Sequence, residues 1–316
     1  MEKVLVTGGN GLVGRAIQNV HQQKYKSYQF IFLSSKDCDL TNIEETVNIF
    51  KKIKPSYVIH LAAVVGGLYK NMNFKVDMFE KNIIINLNVL KCCHDFKIKK
   101  CISTLSTCIF PDNTSYPINE KMLHNGPPHN SNDAYAYAKR MLDIHSRAYQ
   151  EQYNDNFNCI IPTNIYGPYD NYHLEDSHVI PALIHKCYLA KKNNKPFVVY
   201  GSGKPLRQFI YSEDLAKLIL FILFEVNEKE PIILSVSEEE EISIKNVAEI
   251  IAKEFDYPLE FDESKSDGQF KKTADNTKFK NLYYEKFKKD FEFIKIEEGI
   301  KISVKWFIDN YEICRK

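Results

Sequence analysis

Apolar residues in the first half of the chain fall in short unbroken runs: Lys3–Thr7, Gln29–Leu33, Tyr57–His60, Cys101–Thr104 and Cys159–Pro162. Runs of this length, without polar alternation, predict strands buried on both faces, as in a parallel sheet covered by helices. Helical spacing fills the gaps between them. Thr41 followed by Glu44 reads as a capping box ahead of Val47, Ile49 and Phe50, and Pro55 stops that helix. Longer helices are predicted from about Asn73 to Asp95 and from Asp133 to Tyr153. Strand and helix alternating in this way predict an α/β protein built on a Rossmann-type doubly wound parallel sheet.

The pattern changes after Pro162, with longer loops, a Gly201–Ser202–Gly203 turn and short interleaved elements. Ser212–Phe224 and Ile232–Ser235 again read as a helix and a buried strand able to return to the large sheet. The expected division is a dinucleotide-binding domain over 1–163, rejoined by 205–236, and a smaller mixed α/β substrate domain over 164–204 and 237–316. A chain of 316 residues is long enough to favour two cores over one.

Charge removes several function classes. Lys and Arg number 42 against 41 Asp and Glu, so there is no global attraction to nucleic acid or anionic membrane. The longest apolar run, Leu218–Phe224, is far short of the roughly 20 residues of a spanning helix. Val4–Val6 already read as a buried strand, which leaves no room for a signal peptide, and the expected compartment is the cytosol. Eight scattered cysteines lack CxxC pairs, and no Asp/Glu/His spacing argues for a metal.

The first strand runs into Gly8–Gly9–Asn10–Gly11–Leu12–Val13–Gly14 and then a helix. Backbone N–H groups and a helix N-terminus placed there suit a pyrophosphate. The identity of the dinucleotide depends on the end of the second strand, Leu33–Ser34–Ser35–Lys36. Two hydroxyls and a cation favour the ribose 2′-phosphate of NADP; Asp37 or Asp39 would supply the acid of an NAD enzyme. Asp39 and Leu40 are expected to face the adenine in either case.

Tyr135 and Lys139 lie one helical turn apart in Asp133–Lys139. A tyrosine is a poor acid or base near neutrality, and an adjacent ammonium brings its proton within reach. Tyr137 has the wrong spacing to share that face. Upstream, Ser106 follows the Cys101–Thr104 strand and is expected at the carboxyl edge of the sheet, able to hold a substrate oxygen beside Tyr135.

Ser106, Tyr135 and Lys139 form the constellation of the extended short-chain dehydrogenases/reductases, and the resemblance goes further. Val65–Leu68, Ser106–Asp112, Asn125–Ser131, Ile161–Asn164, Tyr166–Pro168, Ser177–Ala182 and Ser266–Lys272 are similar to motifs of the GDP-L-fucose synthase family in its eukaryotic form. That resemblance spans nearly the whole chain. It implies a homodimeric cytosolic enzyme that epimerises GDP-4-dehydro-6-deoxy-D-mannose at C3 and C5 and reduces its C4 ketone with NADPH.

One ketone supports both chemistries, because it acidifies the protons at C3 and C5 and also accepts hydride. The resemblance implies that Cys108 abstracts those protons and that His178 returns them to the opposite face. It further implies cofactor contacts for Lys139, His178 and the run Pro162, Thr163, Asn164 and Ile165. Lys186, Tyr200, Arg207, Asp267 and Lys272 match its positions for the GDP-sugar. Some members carry arginine in place of Lys186 and tryptophan in place of Tyr200. The rival readings are another nucleotide-sugar epimerase or dehydratase of this superfamily and a non-catalytic NADP-sensing protein. A dehydratase is expected to place an Asp–Glu pair where Thr107–Cys108 stand, and the intact Ser106, Tyr135 and Lys139 argue against a sensor.

Overall fold

The computed structural model describes residues 1–265 and 270–316. Strand β1 (Glu2–Thr7) leads into α1 (Leu12–Lys24), followed by β2 (Tyr28–Leu33), α2 (Ile43–Ile53) and β3 (Tyr57–His60). Then come α3 (Leu68–Asn73), α4 (Lys75–Asp95), β4 (Lys100–Thr104), α5 (Asp133–Tyr153) and β5 (Phe157–Pro162). The middle of the chain supplies β6 (Asn164–Tyr166), α6 (Val179–Lys192), β7 (Phe197–Tyr200), β8 (Leu206–Arg207) and β9 (Phe209–Tyr211). It continues with α7 (Ser212–Glu225), β10 (Ile232–Leu234), β11 (Ile242–Ser243), α8 (Ile244–Phe255) and β12 (Leu259–Asp262). Helices α9 (Thr277–Phe287) and α10 (Ile296–Asp309) close the chain.

Six strands form one sheet in the order β10-β5-β4-β3-β1-β2, and all of its pairings are parallel. Strand β1 pairs with β2 on one side and β3 on the other, so the winding reverses there and opens a crevice beyond their carboxyl ends. The unbroken apolar runs are explained by burial on both faces. Leu5, Val58, Cys101 and Ile161 face one cluster with Phe50 of α2, Val89 of α4 and Leu142 of α5. Val4, Val6, Ile59, Ile102 and Ile160 face the other, with Ile17 of α1, Leu215 of α7 and Phe279 of α9. Each such side chain contributes about 1.5–3 kcal/mol when fully buried. A third cluster joins α6, α8 and α10 to the parallel pair β7 and β12. Among the described residues, no helix is long and apolar enough to cross a membrane.

One local expectation is corrected. The cap of α2 is Asn42, whose side-chain oxygen accepts from the N–H groups of Glu44 and Glu45 at 2.9 and 3.2 Å. Thr41 is taken instead by Asp39, to which its hydroxyl donates at 2.7 Å. The helix expected from about Asn73 to Asp95 is α4, which begins at Lys75 after Phe74 leaves helical geometry at φ −123° and ψ 43°.

Candidate active site

The glycine turn between β1 and α1 is folded back against the sheet. Gly8 has φ +70°, and a Cβ there would lie 2.9 Å from the Ala62 nitrogen. At Gly14 a Cβ would approach the carbonyl oxygens of Gly9 and Gly8 to 2.5 and 2.6 Å, and at Gly9 it would meet Phe32. Gly11 caps α1 without any side-chain hydrogen bond, and Asn10 stands exposed at the tip. Leu12 and Val13 supply the first helical N–H groups. A backbone this free of side chains at an uncapped helix start fits a pyrophosphate.

Beyond β2, Lys36 is exposed, with its backbone N–H on the Ser34 hydroxyl. Ser34 in turn donates to Asp37 at 2.5 Å, so one of the two hydroxyls expected for a 2′-phosphate is already engaged with an acid. The carboxyl of Asp37 is held below its usual range by Ser34, and that of Asp39 by Thr41. Leu40 packs its side chain into the core beside the exposed Asp39.

The chemistry gathers at the carboxyl end of β4. Ser106 follows that strand and starts a single 3-10 turn over Thr107–Ile109, accepting from the Cys108 N–H at 3.4 Å. Helix α5 supplies Tyr135 and Lys139 on the face toward this turn, while Tyr137 points outward and is exposed. The Lys139 ammonium donates to the Thr104 carbonyl at 2.9 Å and sits 5.8 Å from the centre of the Tyr135 ring. Arg140 secures the turn from the next position by donating to the Ile109 carbonyl at 2.5 Å.

Burial dominates the ionisation of this group. It pushes the Tyr135 phenol well above its ordinary range, with Cys108 adding to the effect, and brings the Lys139 ammonium down to about 8. Burial also raises the Cys108 thiol, opposed first by the charge of Lys272, then by Ser106 and Lys139. In this state Cys108 rests as a thiol. Burial in turn pulls Lys272 down, and Lys272 feels both Cys108 and Arg207. Ser106, Cys108, Tyr135, Lys139, Lys272 and Arg207 are therefore brought into one electrostatic neighbourhood.

Arg207 lies on β8, paired with Ile242 of β11, and donates to the Leu206 carbonyl at 2.7 Å. Lys186 of α6 stands 4.7 Å over the ring of Tyr200, which is exposed at the end of β7. His178 is the exposed N-cap of α6. Asp267 lies outside the described residues. Near the cofactor side, Pro162 ends β5, Thr163 shares a hydrogen bond with Ser235 at 3.2 Å, and Ile165 sits in β6. Asn164 donates one amide N–H to the Gln208 carbonyl at 2.9 Å, which fixes its side chain.

Three groups escaped sequence reasoning. His60 ends β3, where its ring bridges Thr7 at 2.8 Å and Asn86 at 3.0 Å. Complete burial lowers it to about 3, so it is neutral and structural to the crevice. Gln208 ties β9 to the loop carrying Lys272 through both the N–H and the carbonyl of Ala274. Asp170 is 4 % exposed and interacts with the charge of His178. Its only sequence signal is a carboxylate just after Tyr166–Gly–Pro168.

Comparison with known proteins follows the same outline. The model of the NAD dependent epimerase/dehydratase family matches residues 4–236. A GDP-L-fucose synthase of Dictyostelium discoideum is 58% identical over 316 residues, covering 99% of this chain and 97% of its own length. A probable GDP-L-fucose synthase of Drosophila melanogaster is 49% identical over the whole of both chains, 100% of each. Among solved structures, a GDP-L-fucose synthetase of Naegleria fowleri bound to NADP superposes with a TM-score of 0.94 at 49% identity, covering 100% of this chain and 95% of that one.

Proposed function

The chain belongs to the NAD dependent epimerase/dehydratase family, and from that premise we propose that it makes GDP-L-fucose from GDP-4-dehydro-6-deoxy-D-mannose with NADPH. The observation that carries this reading is the placement of Cys108 beside Ser106, Tyr135 and Lys139. A reductase needs only the last three. A second proton-transfer group on the same edge of the sheet equips one site for epimerisation and reduction.

Each residue has a part that its surroundings support. The Gly8–Gly14 turn with Lys36, Lys139 and Asn164 would hold NADPH, which when bound would supply hydride for C4. Ser106 holds the C4 oxygen. Tyr135, kept protonated by burial, gives that oxygen its proton, and the Lys139 charge stabilises the phenolate left behind. For epimerisation, Cys108 takes the C3 and C5 protons and His178 returns them on the other face. Ser106, Tyr135 and Lys139 then face the enolate oxygen as they face the alkoxide. Arg207 and Lys272 suit the diphosphate, and Tyr200 with Lys186 offers the base an aromatic and cationic surface.

The same reading includes a division into a cofactor domain of 1–163 with 205–236 and a substrate domain of 164–204 with 237–316. It also includes a homodimer. Helices α4 and α5 pack on each other and expose Val76, Phe79, Ile84, Leu87 and Met141 to solvent, an apolar surface that a second copy would cover. Eight unpaired cysteines fit a reducing compartment, the cytosol.

The test is NMR of GDP-4-dehydro-6-deoxy-D-mannose incubated with the protein and NADPH in deuterated water. The expected result is deuterium at both C3 and C5 with one NADPH consumed per product. Reduction without label at those carbons would reduce the proposal to a simple 4-reductase.

A further inference from the structure

The two cations suited to the diphosphate come from distant stretches of chain, Arg207 from β8 and Lys272 from the segment leading to α9. These stretches lie side by side. The Phe270 carbonyl accepts from the Leu206 N–H at 2.8 Å and from the Arg207 guanidinium at 3.5 Å. Further on, the side chain of Gln208 holds Ala274, whose N–H donates to Oε1 at 2.7 Å and whose carbonyl accepts from Nε2 at 3.1 Å. Lys272 is thus bracketed by two anchors, and Arg207 stands between the residues that supply them.

Gln208 is fully buried, where a polar side chain is costly unless it is hydrogen-bonded. Its amide nitrogen also donates to the Val236 carbonyl at 2.9 Å. A side-chain amide can accept from the N–H and donate to the C=O of one residue, as a neighbouring strand would; a carboxylate or an apolar side chain of the same length cannot. The same segment also pairs with Ile118, whose N–H donates to the Thr273 carbonyl at 2.9 Å and whose carbonyl accepts from the Asp275 N–H at 2.8 Å. Gln208 therefore serves as a second strand partner for Ala274. Such fixing has a purpose here, because Lys272 and Arg207 sense each other as like charges and repel in a half-buried space. An anion bound between them removes that penalty.

We propose that Gln208 is a positioning residue for recognition of the nucleotide diphosphate: by pairing with Ala274 it keeps Lys272 beside Arg207 before the substrate arrives. This rests on the reading above, in which those two cations take the diphosphate. Being fully buried, Gln208 acts through Lys272 and not by contact with the ligand. A cation already in place loses less freedom on binding, so the hydrogen bonds of Gln208 are expressed as substrate affinity. The cofactor side depends on a different part of the residue, since Asn164 donates to the Gln208 backbone carbonyl and not to its side chain.

Gln208→Met keeps the length of the side chain and removes its hydrogen bonds to Ala274 and Val236. With GDP as the probe, Kd should rise about tenfold, the scale of one lost contact to a charged group. KM for GDP-4-dehydro-6-deoxy-D-mannose should rise with it, while kcat falls less than about threefold, the signature of lost ground-state binding. NADPH affinity should change less than about twofold, because the carbonyl that holds Asn164 remains. In a Lys272→Met background, which itself weakens GDP, Gln208→Met should add less than about twofold, since the charge it holds is gone. Wild-type GDP affinity in Gln208→Met, its full effect persisting without Lys272, or an equal loss of NADPH affinity overturns the proposal. Lys272→Met and Arg207→Met both binding GDP like the wild type overturns instead the assignment on which it rests. If Gln208→Met does not fold, the wild-type protein decides: hydrogen–deuterium exchange over 271–276 should be slow without ligand and change little when GDP binds. Rapid exchange in the free protein that GDP suppresses means a segment ordered by the substrate, and sinks the idea.

Discussion

At the level of single residues, burial sets which proton each group holds before any ligand arrives. Tyr135 is kept as a phenol, the form the proposed reduction would consume, because a buried phenolate is disfavoured. Lys139 keeps its charge below about 8 and loses it above. In the proposed mechanism its charge stabilises the phenolate that forms, so kcat/KM for NADPH oxidation should decline as pH rises through about 8. A profile flat to pH 9.5 would remove the Lys139 charge from the mechanism. As the proposed base, Cys108 would need the opposite change, from thiol to thiolate, so deuterium exchange at C3 and C5 should accelerate from neutral toward alkaline pH. Cys108→Ser should abolish that exchange, at least 100-fold, while hydride transfer continues. Exchange unchanged in the serine variant would exclude Cys108 as the base.

Elements bring these residues within reach. The α5 turn places Tyr135 and Lys139 on one face, and the 3-10 turn after β4 carries Ser106 and Cys108 toward them. At the other side of the crevice, the β1–α1 connection works because nothing protrudes from it. Gly14→Ala would drive a Cβ to 2.5 Å from the Gly9 carbonyl oxygen, backbone that cannot rotate away. The cost should be about 1–3 kcal/mol of stability, with NADPH affinity reduced at least tenfold. Fluorescence titration with NADPH and urea unfolding measure the two effects. Normal affinity in the alanine variant would mean that the helix can shift without disturbing the cradle.

Over the whole molecule, α4 and α5 expose a set of apolar side chains to solvent. Val76 is 67 % and Leu87 47 % exposed. If this surface joins two copies, size-exclusion with light scattering should give about twice 36.8 kDa for the wild type. Leu87→Glu should bring the mass down toward that of one chain, since an unpaired carboxylate would be buried at the joint. A wild-type monomer at micromolar concentration would disprove the dimer.

Local chemistry was legible from sequence wherever it depends on neighbours in the chain. Val4–Val6 had to be a strand buried on both faces, the glycines at 8, 11 and 14 had to form a close turn, and Tyr135 and Lys139 had to share a helical face. Each follows from a fixed backbone period or from the absence of a Cβ. Other features depend on groups far apart in the chain. Asn42 rather than Thr41 caps α2 because Asp39 claims the threonine. Leu40 enters the core because α2 and α4 cover it. Lys272 comes to face Cys108 through a segment that β9 holds by Gln208, and Asp170 loses its solvent only when the end of the chain straps it at Arg315. Periodicity and spacing record which side chains an element presents. Which charges share a dry space, and hence which protons they keep, is decided only by tertiary packing, because desolvation and Coulomb energy depend on distances that sequence separation does not encode.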